Sequence, residues 1–354
     1  MIGYARAGRW VVWLVFVFIL LKRHLSTLYQ ILLLGSGLDL IFAPPLGHSR
    51  VILALISIGA GFCIMFWGKY RAVENLSRPL ALVLVAALIL VTAVSKPDLG
   101  AVAHGMLIPS SPEHEGYGYA LVLLALIGAQ VGGVSNLKYA AFVSEKGWRN
   151  LSFLRSLKSD LLLSALTMYL LISLLQIAAG ATLYPDASGL RDVEDLVPMF
   201  TNAFGASGRI LFGISLWVIV FSTYIGANTG YAMLVSDIYH NVIRRPASAA
   251  SSEAAEPHTS MPAYRWALVW FCISPLYVLL TDWQPLPLVL ITAVLVALLL
   301  PVTVSVLLWL TSSRALMGRH ANGWAIRLLM VSLILTTLYV SWQSALGVLD
   351  GFAG

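Results

Sequence analysis

Nine apolar segments, each long enough to cross a lipid bilayer, follow one another along the 354-residue chain. A spanning helix needs about 20 mostly apolar residues. Because the bilayer core offers no water to backbone N–H and C=O groups, such segments form α-helices with internal hydrogen bonds. The pattern predicts an all-α integral membrane protein, a polytopic helical bundle. The predicted spans are residues 10–43, 50–67, 79–95, 117–143, 158–182, 208–237, 264–281, 286–311 and 325–347.

The composition leaves no room for a soluble domain. Charged residues make up 11% of the chain, against roughly 25% in a typical soluble domain. We therefore predict a single transmembrane domain over residues 1–354. The sequence has no nucleophile–base pair, phosphate-binding loop or Cys-x-x-Cys motif, so we expect neither an enzyme nor a resident cofactor.

The distribution of charge predicts how the spans are oriented. The net charge of +6 could suggest a nucleic-acid partner, but Lys and Arg cluster in alternate loops, which is typical of the cytoplasmic side of a multi-span protein. We expect a multi-pass protein of the inner (cytoplasmic) membrane, with its N-terminus inside and no nucleic-acid partner. The predicted cytoplasmic loops are 68–78, 145–158, 240–264 and 312–324, and the predicted external loops are 97–116 and 184–207.

The fourth predicted span, 117–143, contains a polar interruption. Gln130, the pair Gly132-Gly133, Ser135 and Asn136 fall within two turns. Discontinuous helices at the bilayer midplane are typical of secondary transporters, and irregular backbone is tolerated there only where it is buried or lines a cavity. Close helix packing at the two glycines is the alternative. We favour a helix break near residues 131–134 that lines a cavity.

Two groups of cations lie close to or inside apolar segments. Lys22-Arg23-His24 interrupts the first span, and Lys138 lies in the fourth span, five residues after Gly133 and toward its cytoplasmic end. A central cation costs about 2.5–3.5 kcal/mol on insertion scales, whereas long basic side chains near an interface extend into the headgroups. We therefore expect both groups at the cytoplasmic interface. An anion or proton relay at Lys22-Arg23-His24 is the alternative.

Four stretches resemble the Nramp (natural resistance-associated macrophage protein) family of divalent-metal transporters, in order and spacing. Residues 128–148, "GAQVGGVSNLKYAAFVSEKGW", resemble the sixth span and following loop of its bacterial Nramp-like branch. Residues 211–237, "LFGISLWVIVFSTYIGANTGYAMLVSD", are similar to span eight. Residues 68–80, "GKYRAVENLSRPL", and 312–320, "SSRALMGRH", resemble the loop after span four and the loop before the last span.

The resemblance implies a LeuT-like inverted-repeat fold of two five-span repeats and a final span. The chain then lacks the first two spans and their Asp-Pro-Gly-Asn motif, and about nine spans are left. The family's metal-binding methionine falls at about Gly132, the histidine after it falls near Val134, and a glutamine of span ten aligns with Ala293.

The predicted metal site therefore consists of neutral oxygen donors. They are backbone carbonyls and amide side chains of Gln130, Val131, Gly132, Gly133 and Asn136. Such donors suit hard cations such as Mg²⁺ better than Mn²⁺ or Fe²⁺.

The function implied by the resemblance is secondary transport of a divalent metal cation (Mn/Fe or Mg), the cation being cargo and not cofactor. Protons are the coupling ion of the implied symport, and the lipid bilayer is the other partner. Without the family's first-span carboxylate we expect the 354-residue chain to transport poorly. Two alternatives stay open, namely a non-transporting truncated membrane scaffold and a gene model that misses the N-terminal spans of a working transporter.

Overall fold

A computed structural model describes residues 6–42, 49–68, 70–108, 126–127, 137–148, 150–183, 192–240 and 258–353. Within these ranges all regular secondary structure is helical. The α-helices are α1 (Arg6–Phe42), α2 (Ser49–Trp67), α3 (Tyr70–Val94), α4 (Leu99–Leu107), α5 (Lys138–Glu145), α6 (Leu154–Leu183), α7 (Val197–Phe204), α8 (Ser207–Ile238), α9 (Pro262–Ile273), α10 (Pro285–Ser312), α11 (Arg314–Met317) and α12 (Trp324–Ala353).

Seven helical segments in the described part of the chain are long and apolar enough to cross a membrane. They coincide with the predicted spans 10–43, 50–67, 79–95, 158–182, 208–237, 264–281 and 286–311, and that these helices cross a membrane stays a prediction. The predicted span 325–347 lies within α12. The predicted span 117–143 lies largely outside the described residues.

Two spans differ in detail from the prediction. The predicted loop 68–78 is mostly helical, because α3 already begins at Tyr70. Arg78 pairs with Glu74 one turn earlier at 2.8 Å, and such i,i+4 pairs support a helix that has no apolar face. In the span 264–281 the α-helix ends at Ile273, and a 3₁₀ helix (Ser274–Leu280) continues it. Pro275 supplies no N–H for an α-helical bond there.

The described residues form two compact units. The first contains those up to Ile108 and those from Lys138 to Leu286. The second contains residues 126–127, Leu137 and those from Pro287 onward. That the two units act as a single transmembrane domain stays a prediction.

Helices α1 and α8 form the interior of the first unit. About half of each apolar window is buried, 56% in α1 and 50% in α8, against 6% in α6. The two helices cross closely where Gly37 of α1 faces Trp217 and Gly213 of α8. A Cβ on Gly213 would lie 2.8 Å from the carbonyl oxygen of Gly37. Small residues of this kind let spanning helices approach at backbone distance, so α1 and α8 provide the framework for the polar groups between them.

Each end of the first unit brings together loops that the charge pattern assigns to one side. At one end Arg50 at the start of α2 contacts Asp39 at the end of α1 and Glu194 before α7. At the other end Lys146 after α5 lies 3.2 Å from Asp160 of α6 and 3.9 Å from Glu74 of α3. The first set of contacts lies at helix ends that are predicted to be external. The second set lies in or next to loops that are predicted to be cytoplasmic. Each set of contacts therefore joins residues that the charge pattern assigns to one side, and the orientation itself stays a prediction.

The second unit contains a tight connection between α10 and α12. The backbone N–H of Asn322 donates to the Thr311 carbonyl at 2.9 Å, and its side-chain amide donates to the Thr311 hydroxyl at 2.6 Å. Arg327 donates to the Ser312 carbonyl at 3.3 Å. These bonds satisfy carbonyls at the end of α10 that no further helical turn can reach, and so fix the turn.

Candidate functional site

The predicted cation site lies outside the described residues. This holds for all five of its members, Gln130, Val131, Gly132, Gly133 and Asn136, and for the helix break expected at residues 131–134. Both stay predictions. The description resumes at Leu137, and α5 begins at Lys138.

Helix α5 packs closely against α8, the helix that would face the predicted site. A Cβ at Gly230 would lie 2.7 Å from the Phe142 ring and 2.9 Å from Cδ of Lys138. A side chain at Gly230 would therefore require the Phe142 ring and the Lys138 side chain to move. Gly226, four residues before Gly230 on α8, has open space around it. Of these two glycines, only Gly230 is explained by packing against described residues.

Arg23 is the most unusual residue of the first unit. It is 1% exposed, the largest side chain that is fully buried in the described structure. Its Nε donates to Oδ1 of Asn228 in α8 at 2.6 Å. Its Nη2 donates to Oε1 of Gln30, which lies seven residues further along α1. The Thr27 hydroxyl donates to the Arg23 carbonyl at 2.8 Å. Arg23 thus connects α1 to the middle of α8.

The expected interfacial position of Lys22-Arg23-His24 is wrong for Arg23. Its guanidinium is held inside the protein by two amide oxygens, so it does not extend into headgroups. His24 contacts the Ser274 hydroxyl through Nδ1 at 2.9 Å and stacks against Tyr277, both in the 3₁₀ segment after α9. The insertion cost that argued for the interface is offset here by partners that the protein supplies.

Lys22 and Lys138 both contact the same tyrosine. The Lys22 ammonium donates to the Tyr231 hydroxyl at 2.9 Å, and the Lys138 ammonium lies 5.1 Å from the centre of the Tyr231 ring. A cation over a tyrosine face is attracted by the ring quadrupole. Lys138 therefore contacts α8, whereas the sequence predicted that it contacts lipid headgroups.

The polar core between α1, α5 and α8 contains three basic side chains, those of Lys22, Arg23 and Lys138. None of the ion pairs in the described part of the chain includes Arg23, whose described partners are neutral amides. One amide donor of Asn228 (Nδ2) is buried with no hydrogen-bond partner among the described residues. Because a positive core repels cations, these residues fit a tether between helices and do not fit a metal site. No group of three or more His, Cys, Asp or Glu suited to a metal occurs in the described residues.

Sequence reasoning missed this core, although part of the signal was present. Gln30 follows Arg23 by seven residues, which places both on one face of a helix. Asn228 lies 205 residues away from Arg23, and nothing in the sequence pairs the two. A polar residue at i+7 from an intramembrane cation is therefore the signal that could have indicated burial.

Solved structures of a known transporter have the same fold as this chain. The crystal structure of the Eremococcus coleocola manganese transporter in complex with an aromatic bis-isothiourea compound is similar over 98% of this chain and 73% of that chain, with a TM-score of 0.70 and 17% identity. Two mutants of the same transporter are 18% identical, with a TM-score of 0.63, over 96% of this chain and 73% of theirs. The fold is therefore the LeuT-like fold that the sequence predicted. No curated protein matches the chain.

The family assignment rests on the sequence itself. The family model described as natural resistance-associated macrophage protein-like matches residues 3–346, nearly the whole chain. The match includes all four stretches on which the resemblance was based. The chain belongs to the Nramp family of membrane transporters.

Proposed function

We propose that the chain is a secondary transporter that moves divalent metal cations across the cytoplasmic membrane by alternating access. The observation that carries this proposal is the family match over residues 3–346. The similar solved structures are those of a manganese transporter, a protein with a divalent cargo.

The cation would bind at the polar interruption of the fourth predicted span. Carbonyls of Val131, Gly132 and Gly133 and the amides of Gln130 and Asn136 are neutral oxygen donors. Neutral oxygens suit a hard ion, which is bound by carbonyl and carboxylate oxygen, whereas softer ions also accept sulfur ligands. Mg²⁺ is therefore the favoured cargo, with Mn²⁺ and Fe²⁺ as weaker alternatives.

Proteoliposomes that contain the 354-residue chain should take up Mg²⁺ faster than protein-free liposomes, with a smaller flux of Mn²⁺. The reason is the donor set, which has no thioether for the softer ion. Fluorescent indicators trapped inside the vesicles would measure both fluxes. The flux should be low in absolute terms, because a partly dehydrated divalent ion meets no formal negative charge in this donor set.

A matched experiment separates transport from leakage and from the scaffold alternative. Liposomes with heat-inactivated protein report leakage. A chain that inserts and folds, yet gives no flux of either ion under any gradient, would support the non-transporting scaffold. If transport is coupled to protons, an inwardly directed proton gradient should accelerate metal uptake. Uptake at the same rate with and without this gradient would rule out proton coupling, but not metal transport.

The proposed topology places the N-terminus in the cytoplasm. A cysteine at position 251 should be protected from a membrane-impermeant thiol reagent in intact cells, and one at position 104 should be labelled. The variants Ser251→Cys and His104→Cys would be made in a background that lacks Cys63 and Cys272, of which Cys63 is exposed. Labelling of Ser251→Cys from outside would overturn the orientation.

A further inference from the structure

A polar cavity of about 470 Å³ lies at the end of the first unit that collects the predicted external ends. It is far in sequence from the predicted metal site, and all residues used here lie in the first unit. Its wall contains three carboxylates and one guanidinium, which belong to Asp39, Asp192, Asp282 and Arg50. Glu194, outside the wall, holds the same guanidinium. The cavity therefore has an excess of negative charge.

The three carboxylates of the cavity differ in the number of hydrogen bonds that they accept from the protein. Asp39 accepts from the Ser49 hydroxyl at 2.7 Å and from Arg50 Nε at 3.4 Å. Asp192 accepts from the N–H of Val193 and caps a 3₁₀ turn. Asp282 is exposed and makes no hydrogen bond or ion pair with any described residue. One carboxylate is thus fully available to a ligand.

Ser36 is a second and independent sign that the cavity receives a polar ligand. It is only 7% exposed and lies in the cavity wall. Serines in helices usually donate to a carbonyl one turn earlier, as Ser57 does at 3.0 Å, whereas the Ser36 hydroxyl has no partner among the described residues. The residue is thus buried while its hydroxyl is left without a protein partner, which makes the hydroxyl available to water or to a ligand in the cavity.

We propose that this cavity binds a hydrated divalent cation before it enters the membrane. The proposal rests on the proposed function, since it supplies the external binding step of the same cargo. The described acidic groups do not form a cluster that could hold a bare ion, so the ion keeps its water. Six waters occupy about 180 Å³ at about 30 Å³ each, which fits the cavity. The carboxylates and the Ser36 hydroxyl would accept and donate hydrogen bonds to this water shell.

Arg50 is the residue that limits the affinity of the cavity. Its guanidinium is half exposed and neutralises part of the charge of Asp39 and Glu194. Such half-exposed ion pairs contribute little to stability, so Arg50 can be replaced without unfolding the protein. Removing a carboxylate should weaken cation binding, and removing Arg50 should strengthen it.

Terbium luminescence would test the site directly on the full chain in detergent. Tb³⁺ is a hard cation that binds oxygen ligands, and Trp283 in the cavity wall can sensitise its emission. We expect tryptophan-excited emission that Mg²⁺ displaces and that Trp283→Phe removes. Asp282→Asn should weaken Tb³⁺ binding by about threefold and Arg50→Gln should strengthen it by a similar factor, both effects shrinking at high salt.

Asp98→Asn is the matched control. Asp98 is also exposed and predicted to be external, it lies outside the cavity wall, and asparagine preserves its role as the N-cap of α4. If Asp282→Asn does not fold, Asp192→Asn carries the same prediction. Emission that survives Trp283→Phe, or equal effects of Asp282→Asn and Asp98→Asn, would overturn the site.

The outcome for the cavity is separable from that for transport. Displaceable Tb³⁺ in a folded chain that moves neither Mg²⁺ nor Mn²⁺ would support the cavity site and overturn the proposed function. Mg²⁺ uptake whose half-saturating concentration is the same in Asp282→Asn and in the unmodified chain, with no Tb³⁺ signal, would overturn the cavity site alone.

Discussion

Replacing Asn228 by leucine should destabilise the protein more than replacing Arg23 by methionine. Asn228→Leu removes a charge-assisted hydrogen bond and leaves the buried guanidinium with Gln30 as its described side-chain partner, a loss of about 2–3 kcal/mol. Arg23→Met leaves two neutral amide oxygens without a donor but also removes the buried charge. We expect this second loss to be about 1–2 kcal/mol.

The ordering can be measured by unfolding in mixed micelles, followed by tryptophan fluorescence. Asn75→Leu is the control, because Asn75 is an exposed asparagine of α3 and has no described side-chain partner. It should change the free energy of unfolding by less than about 0.5 kcal/mol. An Asn228→Leu variant as stable as Asn75→Leu would show that the contact between Arg23 and Asn228 contributes nothing.

The double variant distinguishes a charge–acceptor pair from two independent contacts. When Arg23→Met has removed the charge, loss of the Asn228 oxygen no longer leaves a buried guanidinium without an acceptor. The double variant should therefore lose less than the sum of the single losses, by about 1 kcal/mol or more. Additive losses would mean that the two residues act separately and that Arg23 is satisfied by other groups.

The spans were predictable because bilayer solvation depends on local composition. A run of about 20 apolar residues must form a helix wherever it is inserted, and seven such runs are helices here. Helix ends were less predictable. The start of α3 at Tyr70 depends on charged residues that stabilise a helix without being apolar, through the pair of Glu74 and Arg78. A hydropathy pattern cannot contain that information.

The burial of Arg23 could be predicted only in part, from Gln30 on the same helical face, because its other partner belongs to another helix. An insertion scale assigns the cost of a cation from its place in its own segment. Here Asn228 supplies an oxygen from α8, 205 residues further along the chain. The cavity is similar, since Asp39, Asp192 and Asp282 come from three parts of the chain that are far apart in sequence. The charge pattern predicts on which side of the membrane the loops lie, but it could not bring these three carboxylates together.

The two polar regions of the first unit have opposite electrostatic character. The core around Arg23 is positive, and the external cavity is negative. A divalent cation is attracted to the second and repelled by the first. In the proposed function the cation binds at residues 131–134 and their neighbours, where the proposed ligands are neutral oxygen donors. The oxygen atoms of those donors become decisive for the rate.

Replacing Gln130 and Asn136 together by alanine should nearly abolish Mg²⁺ uptake. Both side chains are amides in an otherwise apolar segment, and a divalent ion that gives up part of its hydration needs oxygen ligands in exchange. We expect the half-saturating Mg²⁺ concentration to rise by about tenfold or more, which corresponds to about 1.4 kcal/mol of binding free energy. Flux into proteoliposomes over a range of external Mg²⁺ would measure it.

The matched control removes the same two side chains from exposed positions. Gln176 of α6 and Asn202 of α7 are both exposed, so Gln176→Ala with Asn202→Ala should leave the half-saturating concentration unchanged. Because loss of folding would also abolish flux, both double variants need the same unfolding midpoint as the unmodified chain. Unchanged uptake by a stable Gln130→Ala, Asn136→Ala variant would place the cation elsewhere. The glycine pair at 132 and 133 would then be explained by close helix packing, the alternative that small residues in a spanning segment always allow.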